Sequence, residues 1–157
     1  MEWFHVVESG EGIGRAIRRG LAAHGGTVER RVSQSHPALL VVSPRAAARR
    51  MTLPRACRTV LLPGDAGQLL RDVRAASAVS YGSSPRDSLT ISSRERRKLW
   101  IALQRELVTV DGHVVERQEF PVELGAGEKE MSALAAAGAM LLLGVAPEWL
   151  GAQSPGI

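Results

Sequence analysis

Two unbroken apolar runs of strand length set the strongest limit on how this chain folds. They are ALLVVS, residues 38–43, and TVLLP, residues 59–63. A strand with one wet face alternates apolar and polar residues, whereas an unbroken run is typical of a strand buried on both faces of a parallel sheet. Both faces of such a sheet need cover, so we predict a parallel sheet with helices on both sides.

The N-terminal half predicts strands that alternate with helices. A strand over WFHVV (3–7) precedes a helix whose apolar face carries Ile13, Ile17 and Leu21 and which ends at Gly25-Gly26. The remaining segments of this half are a short strand over TVERRV (27–32), a helical turn in PRAAARRM (44–51), a helix over AGQLLRDVRAA (66–76) and a strand over AVSYG (78–82). This alternation predicts a Rossmann-like sheet.

The pattern changes after about residue 84. Three strand-like segments follow without an intervening helix, and Asp111-Gly112 is the dipeptide that best fits a tight hairpin turn. Pro121 indicates an edge strand or a bulge. A helix is expected from about Glu128 to Leu143, followed by a short PEWL turn. The three segments are DSLTISS (87–93), LWIALQRELVTV (99–110) and HVVERQEFPVEL (113–124).

The predicted fold class is therefore α/β: a Rossmann-like parallel sheet, a small antiparallel hairpin layer and a C-terminal helix. We divide the chain into residues 1–82, residues 83–150 packed on them as one unit, and a loose tail over 151–157. With 157 residues and 45% hydrophobic content, the chain is large enough to bury a full core.

The composition indicates a cytoplasmic protein. Cys57 is the only cysteine, so no internal disulfide can form, and the longest apolar stretch, Ala133–Ala146, is shorter than a membrane span requires. The net charge of +4 is the balance of 18 arginines and two lysines against 16 acidic residues. The excess of arginine over lysine fits an arginine-rich proteome as well as it fits any ligand. With few aromatic residues to stack bases, nucleic acid is not favoured as a partner.

The stretch ESGEGIGRAIRRG, residues 8–20, raises the question of a phosphate site. A dinucleotide fingerprint, G-x-G-x-x-G, fits at Gly10 and Gly12 but meets Arg15 at its third position. GIGRAI also resembles the opening of short-chain dehydrogenases through Gly12 and Gly14, although that family's earlier glycine would fall at Glu8, where a carboxylate repels phosphate.

Residues further along extend this alternative. Glu29 stands where an acidic residue accepts a ribose hydroxyl, and Arg30 and Arg31 suit a 2′-phosphate. The candidate cofactor-binding residues are thus Gly10, Gly12, Gly14, Arg15 and Glu29, for NAD(P) or an adenine nucleotide. A P-loop is excluded because no lysine precedes Lys98. For an enzyme of this fold, the site would lie at the carboxyl ends of the parallel strands, near Glu8–Arg15, Ser43 and Gly64-Asp65.

The second half carries a more specific pattern. Tyr81-Gly82 is followed by Asp87, by the strand-like run QEFPVEL (118–124) and by SALAAAGAMLLLGVAPEWL (132–150). In this order, the pieces resemble the end of the ATP-binding central domain of Mur-type peptide ligases, over about residues 79–150. HVV before the glycines and HPALLVVS after them are more weakly similar to the Rossmann-like first domain of that family.

The departures from that family bear on function. Its ATP loop, catalytic lysine and magnesium-binding acidic residues have no counterpart, Ser132 stands where the last helix usually begins with asparagine, and GAGEKEM (125–131) lacks the family's histidine-asparagine pair. The resemblance therefore implies a shortened, non-catalytic relative that acts by binding or assembly and requires no cofactor.

Two further expectations concern partners and metals. Trp149 lies beside the long apolar helix, which suits a homodimer or a protein partner through the C-terminal helix. The four histidines, His5, His24, His36 and His113, lack the spacing of a zinc site, so no metal ligand is assigned.

Overall fold

One seven-stranded sheet forms the framework. The computed structural model describes residues 3–23 and 36–152, and the main sheet has the order β1-β2-β3-β4-β5-β6-β9. The strands are β1 (Phe4–Val7), β2 (Leu39–Val42), β3 (Ala56–Pro63), β4 (Arg74–Tyr81), β5 (Leu89–Glu95), β6 (Lys98–Leu103), β7 (Leu107–Val108), β8 (Val114–Val115) and β9 (Gln118–Glu123). β7 and β8 form a separate two-stranded antiparallel sheet.

The first five strands of the main sheet are parallel and the last two pairings are antiparallel. β1 to β4 pair in sequence order, and a single residue pair, Tyr81 with Leu89, joins β4 to β5. β6 then pairs antiparallel with both β5 and β9. The sheet thus runs without a break from the strand-helix half of the chain into the hairpin half.

Helices cover both faces of the parallel strands. They are α1 (Ile13–Ala23), α2 (Pro44–Ala48), a 3-10 segment (Gly64–Arg71), α3 (Glu130–Leu142) and α4 (Pro147–Ala152). α1 and α3 pack with Leu39, Val41 and Leu61 in one core cluster. α2 and the 3-10 segment pack with the alternate strand residues, Leu40 and Val42 among them, in a second cluster. Because successive strand side chains point to opposite faces, the continuous apolar run of β2 serves both clusters.

α3 is the most deeply buried helix. Ten of its thirteen residues are buried, because it lies between the sheet and α1. Gly138 lets it approach closely, since a Cβ there would lie 2.8 Å from Leu89 Cδ1. α4 packs instead on β9, at the edge of the sheet.

The predicted fold class is confirmed. The parallel sheet, the helices on its two faces, the small antiparallel sheet and the C-terminal helix are all present. The hairpin turn at Asp111-Gly112 joins β7 to β8, with Gly112 at a φ of +88° and the Thr109 N–H donating to the His113 carbonyl over 2.8 Å. β9, which carries Pro121, is an edge strand as expected.

The helix predicted over residues 66–76 is wrong. The 3-10 segment ends at Arg71, Ala66 within it departs from helical geometry, and β4 begins at Arg74. Pairing with β3 explains the difference: the Arg74 N–H donates to the Arg55 carbonyl over 2.7 Å, and β4 continues in parallel register along β3. Sheet hydrogen bonds thus override the helical spacing of leucines and alanines.

Some expectations fall outside the residues that the structure describes. These are the strand over TVERRV, the helix end at Gly25-Gly26 and most of the tail, residues 153–157. Across the described ranges, no helix is long and apolar enough to cross a membrane.

Candidate functional site

A cleft of about 710 Å³ opens where the parallel strands end. Pro44 follows β2, Pro63 and Gly64 lie at the end of β3, and Tyr81 and Gly82 lie at the end of β4; all five line the cleft. The carboxyl ends of parallel strands meet at one edge of a sheet, and this edge is where α/β proteins bind ligands. The volume falls in the range of small-molecule sites.

The carboxylate of Asp87 is fixed in the wall of this cleft. Asp87 is only 4% exposed, and its Oδ2 accepts a hydrogen bond from the Ser84 N–H over 3.0 Å. Its backbone is held as well: the Asp87 N–H donates to the Ser84 carbonyl, and the Gln104 side-chain amide donates to the Asp87 carbonyl over 2.7 Å. The loop between β4 and β5 therefore presents this carboxylate in one position.

Two glycines make room for that carboxylate. A Cβ on Gly64 would lie 1.8 Å from Asp87 Oδ1, and a Cβ on Gly82 would lie 2.5 Å from Oδ2. Both glycines follow directly on neighbouring strands whose last residues, Pro63 and Tyr81, are register partners. Side chains at either position would occupy the space that Asp87 fills, so the two strand ends and the loop fit together only with glycine there.

Tyr81 closes the floor of the cleft. Its hydroxyl donates to the Val42 carbonyl over 2.6 Å, which ties β4 to the end of β2. Burial raises the pKa of the Tyr81 hydroxyl, and the negative charges of Glu11 and Asp65 raise it further. The phenol therefore stays protonated and acts as a structural hydrogen-bond donor.

The cleft is acidic. Asp65 and Asp87 both line it, and none of its described lining residues is Lys, Arg or His. The rest of the wall is either apolar, as at Pro44, Ala47 and Met131, or carries amide and hydroxyl groups, as at Gln68 and Ser83. Such a wall favours hydrogen-bond donors and cations over anions.

Glu11, in the glycine-rich turn, binds the start of α2. Its carboxylate accepts hydrogen bonds from the Ser43 hydroxyl, from the Ser9 N–H over 3.0 Å and from the Arg45 N–H over 3.2 Å. Burial opposes its ionisation, but these hydrogen bonds and the charge of Arg45 together hold the pKa of Glu11 below its ordinary value. Ser43 in turn caps α2 by accepting from the Ala46 N–H over 2.9 Å.

Glu8 caps α1 in the same way. Its two carboxylate oxygens accept from the Ile13 N–H over 2.8 Å and from the Gly14 N–H over 3.0 Å. Free N–H groups at the start of a helix are the groups that bind a phosphate in nucleotide sites. In this chain a carboxylate from the preceding turn already occupies them.

The structure places four of the five sequence-predicted site residues in the turn after β1 and at the start of α1. Gly10 and Gly12 have φ values of +69° and +77°, a region that glycine enters at no steric cost, and Gly14 is buried against Glu8 and Arg18. Arg15 is exposed on α1. Glu29 lies outside the described residues. Whether a nucleotide binds to this turn stays a prediction, and such a ligand would have to displace the Glu8 carboxylate.

Of the other positions expected near a site, Gly64 and Asp65 line the cleft, and Ser43 directly precedes the lining residue Pro44. Sequence reasoning gave no role to Asp87 or to the Glu11 carboxylate. LLPG and VSYG each place a glycine directly after a strand, which marks the gap at the two strand ends but not the residue that fills it. No comparable spacing marks the partnership of Glu11 with Ser43, 32 residues away.

Comparison with known proteins does not add a family assignment. No protein-family model matches the sequence, and no curated protein matches it.

The fit of Asp87 between the two glycines can be tested by substitution. We expect Gly64→Ala to lower the free energy of unfolding by about 1–3 kcal/mol, because the new Cβ overlaps a carboxylate that cannot move away. Gly67→Ala is the matched control, since a Cβ there meets nothing within 4 Å in the same 3-10 segment. Urea denaturation measures both variants. In an Asp87→Ala background, Gly64→Ala should cost far less; an equal cost in both backgrounds would contradict the contact.

The link between Glu11 and α2 predicts a pH-dependent stability. A carboxyl group whose pKa is lowered on folding stabilises the protein above its unfolded pKa, and this contribution is lost as the pH falls through the folded pKa. We expect Glu11→Gln to lower the free energy of unfolding by about 1 kcal/mol at pH 7 and to match the wild type in acid. Glu116→Gln, at an exposed position, is the control. A difference that does not change between pH 7 and pH 3 would rule out the charge as its cause.

Proposed function

We propose that this chain is a non-catalytic, Mur-ligase-like protein that binds a small molecule in the cleft at the ends of β2, β3 and β4. The observation that carries the proposal is the carboxylate of Asp87, which accepts from the Ser84 N–H and is accommodated by two glycines in the wall of a 710 Å³ cleft, while Gln104 holds the Asp87 backbone carbonyl. A fixed polar group in a largely apolar cavity is the usual arrangement of a binding site.

The Mur-type resemblance supports the location. Tyr81-Gly82 and Asp87, its first elements, form the cleft wall, and the alanine-rich α3 packs behind the same strands and supplies Met131 to the lining. The motifs on which that family's ligation depends, the ATP loop and its lysine, are absent from the sequence. The chain resembles that family at the strand ends but lacks its phosphate loop, and this combination supports binding rather than ligation.

The alternative is a nucleotide- or NAD(P)-binding enzyme that uses Gly10, Gly12 and Gly14. It is supported by the position of this turn between β1 and α1, where dinucleotide-binding proteins hold pyrophosphate. Against it stand the Glu8 carboxylate on the helix N–H groups and the Glu11 carboxylate in the same turn. Two negative charges at that point make a phosphate unfavourable.

Amide chemical shifts of ¹⁵N-labelled protein distinguish the two sites. We expect a panel of small neutral and charged fragments to shift the amides of Gly64, Gly82 and Ser84, while ATP, ADP, NADH and NADPH leave the amides of Gly10–Gly14 unchanged. A cleft ligand at a hundredfold over its Kd should also stabilise the protein by about 2.7 kcal/mol.

Gly12→Asp is the control for the alternative, because it adds a third carboxylate to the glycine turn without touching the cleft. If a nucleotide shifts the glycine-turn amides, if Gly12→Asp abolishes that shift and if no fragment shifts the cleft amides, the proposal is wrong and the alternative holds.

We also propose that the chain is cytoplasmic and forms a homodimer through its C-terminal surface. Burial raises the pKa of Cys57 to about 11, so the single thiol stays protonated and unreactive. α3 is buried by other parts of the same chain, so α4 is the C-terminal helix that lies at the surface. Trp149 on α4 is 49% exposed, and exposed tryptophan is typical of interfaces.

Light scattering coupled to size exclusion tests the dimer. We expect a dimer mass for the wild type and a shift toward monomer for Trp149→Ala, because the indole would supply the main apolar contact. Leu70→Ala, which removes a side chain of similar exposure, 42%, from the 3-10 segment, should leave the mass unchanged. A wild-type monomer at high concentration would exclude this mode of assembly.

A further inference from the structure

The hydrogen-bond state of Asp87 narrows the class of ligand that the cleft accepts. Oδ2 has a partner in the Ser84 N–H, whereas Oδ1 accepts no hydrogen bond from any residue in the described part of the chain. Among the described residues, the buried side-chain polar atom without a partner is His36 Nδ1, so Oδ1 of Asp87 is open to the cleft although the residue as a whole is only 4% exposed. The carboxylate lines the cleft, so a ligand there can donate to Oδ1 in place of water.

The surroundings of Oδ1 explain why the chain does not satisfy it. Its nearest neighbour across the strand ends is Gly64, which has no side chain. The second carboxylate of the cleft, Asp65, adds negative charge rather than a donor, and this charge also acts on the Tyr81 hydroxyl. The carboxylates of Asp65 and Asp87 therefore both favour a ligand that carries a positive charge and donates hydrogen bonds.

We propose that the cleft binds a small molecule through a primary ammonium group, which donates to Asp87 Oδ1 while the carbon body of the ligand packs on Pro44, Ala47 and Met131. This inference rests on the proposed function and specifies its ligand. An ammonium has three donors and a compact charge, which suits one fixed carboxylate oxygen in a cleft that also has amide and hydroxyl acceptors, at Gln68 and Ser83.

A metal ion is a poorer match. Calcium and magnesium need about six oxygen ligands, and no group of three or more His, Cys, Asp or Glu side chains in the described residues is placed to hold a metal. A guanidinium is also less well matched, because it is recognised best by two oxygens at once, and Asp87 Oδ2 is already engaged by Ser84.

Three probes with the same body separate the contribution of charge from that of shape. Benzylamine, benzyl alcohol and benzoate are titrated into ¹⁵N-labelled full-length protein, and amide shifts of Gly64, Gly82 and Ser84 report on the cleft. We expect benzylamine to bind about tenfold or more tightly than benzyl alcohol and benzoate not to bind, since a hydrogen bond to a charged partner contributes about this factor. Added salt should weaken benzylamine binding and leave benzyl alcohol unaffected.

Asp87→Asn tests the assigned residue. The amide keeps the size of the side chain and an oxygen for the Ser84 N–H but loses the charge, so benzylamine affinity should fall about tenfold while benzyl alcohol affinity is retained. Asp111→Asn, in the β7–β8 turn away from the cleft, is the matched control. If Asp87→Asn does not fold, the comparison of the three probes on the wild type decides the proposal.

The outcomes separate the two levels of inference. Cleft shifts with benzyl alcohol or benzoate that equal or exceed those with benzylamine would overturn the ammonium assignment and leave the cleft as a binding site. Full benzylamine affinity in Asp87→Asn would overturn it as well. Cleft amides that respond to none of the three probes would overturn both the ammonium assignment and the binding function.

Discussion

The close packing of α3 on the sheet is the constraint on which the rest of the structure depends. α3 contacts β2, β3, β4 and β5 on one face and α1 on the other, so it spans the junction at which the sheet changes from parallel to antiparallel. That junction has a single residue pair, Tyr81 with Leu89, and Leu89 is also the residue that Gly138 of α3 approaches most closely. Apolar burial under α3 therefore acts together with this short pairing, in which the Gly82 N–H donates to the Leu89 carbonyl and the Ser88 N–H to the Ser80 carbonyl, to hold the two halves together.

Carboxylates organise the edge of the sheet above this core. Glu8 satisfies the first N–H groups of α1, Glu11 binds Ser43 and Arg45 at the start of α2, and Asp87 binds Ser84 between two strand ends. Each places a negative charge where parallel α/β folds commonly hold a phosphate or another anion. The local charge at this edge is thus the reverse of that in a nucleotide site built on the same elements.

The fold can be predicted from the sequence more completely than the site can, and the reason is physical. Unbroken apolar runs such as LLVV and the Asp-Gly dipeptide act through burial and local turn geometry, which are visible within a few residues of chain. The helix over residues 66–76 is wrong because the fate of that segment is decided by β3, a neighbour that its own spacing does not encode. The Glu11–Ser43 contact and the position of Asp87 against Gly64 join residues 32 and 23 positions apart, and only the register of the strands brings them together.

The same register explains why one oxygen of Asp87 accepts a hydrogen bond from the chain and the other does not. Pro63 and Tyr81 are neighbours at the ends of β3 and β4. Because the next residue after each strand is a glycine, a gap remains between the two backbones, and the side chain of Asp87 occupies it. The loop that brings Asp87 also brings the Ser84 N–H, which can reach only Oδ2. Gly64, which lies next to Oδ1, has no side chain that could donate, and no described residue donates a hydrogen bond to this oxygen. Oδ1 therefore remains open to the cleft as a consequence of the strand ends themselves, and a ligand bound there can donate to it in place of water.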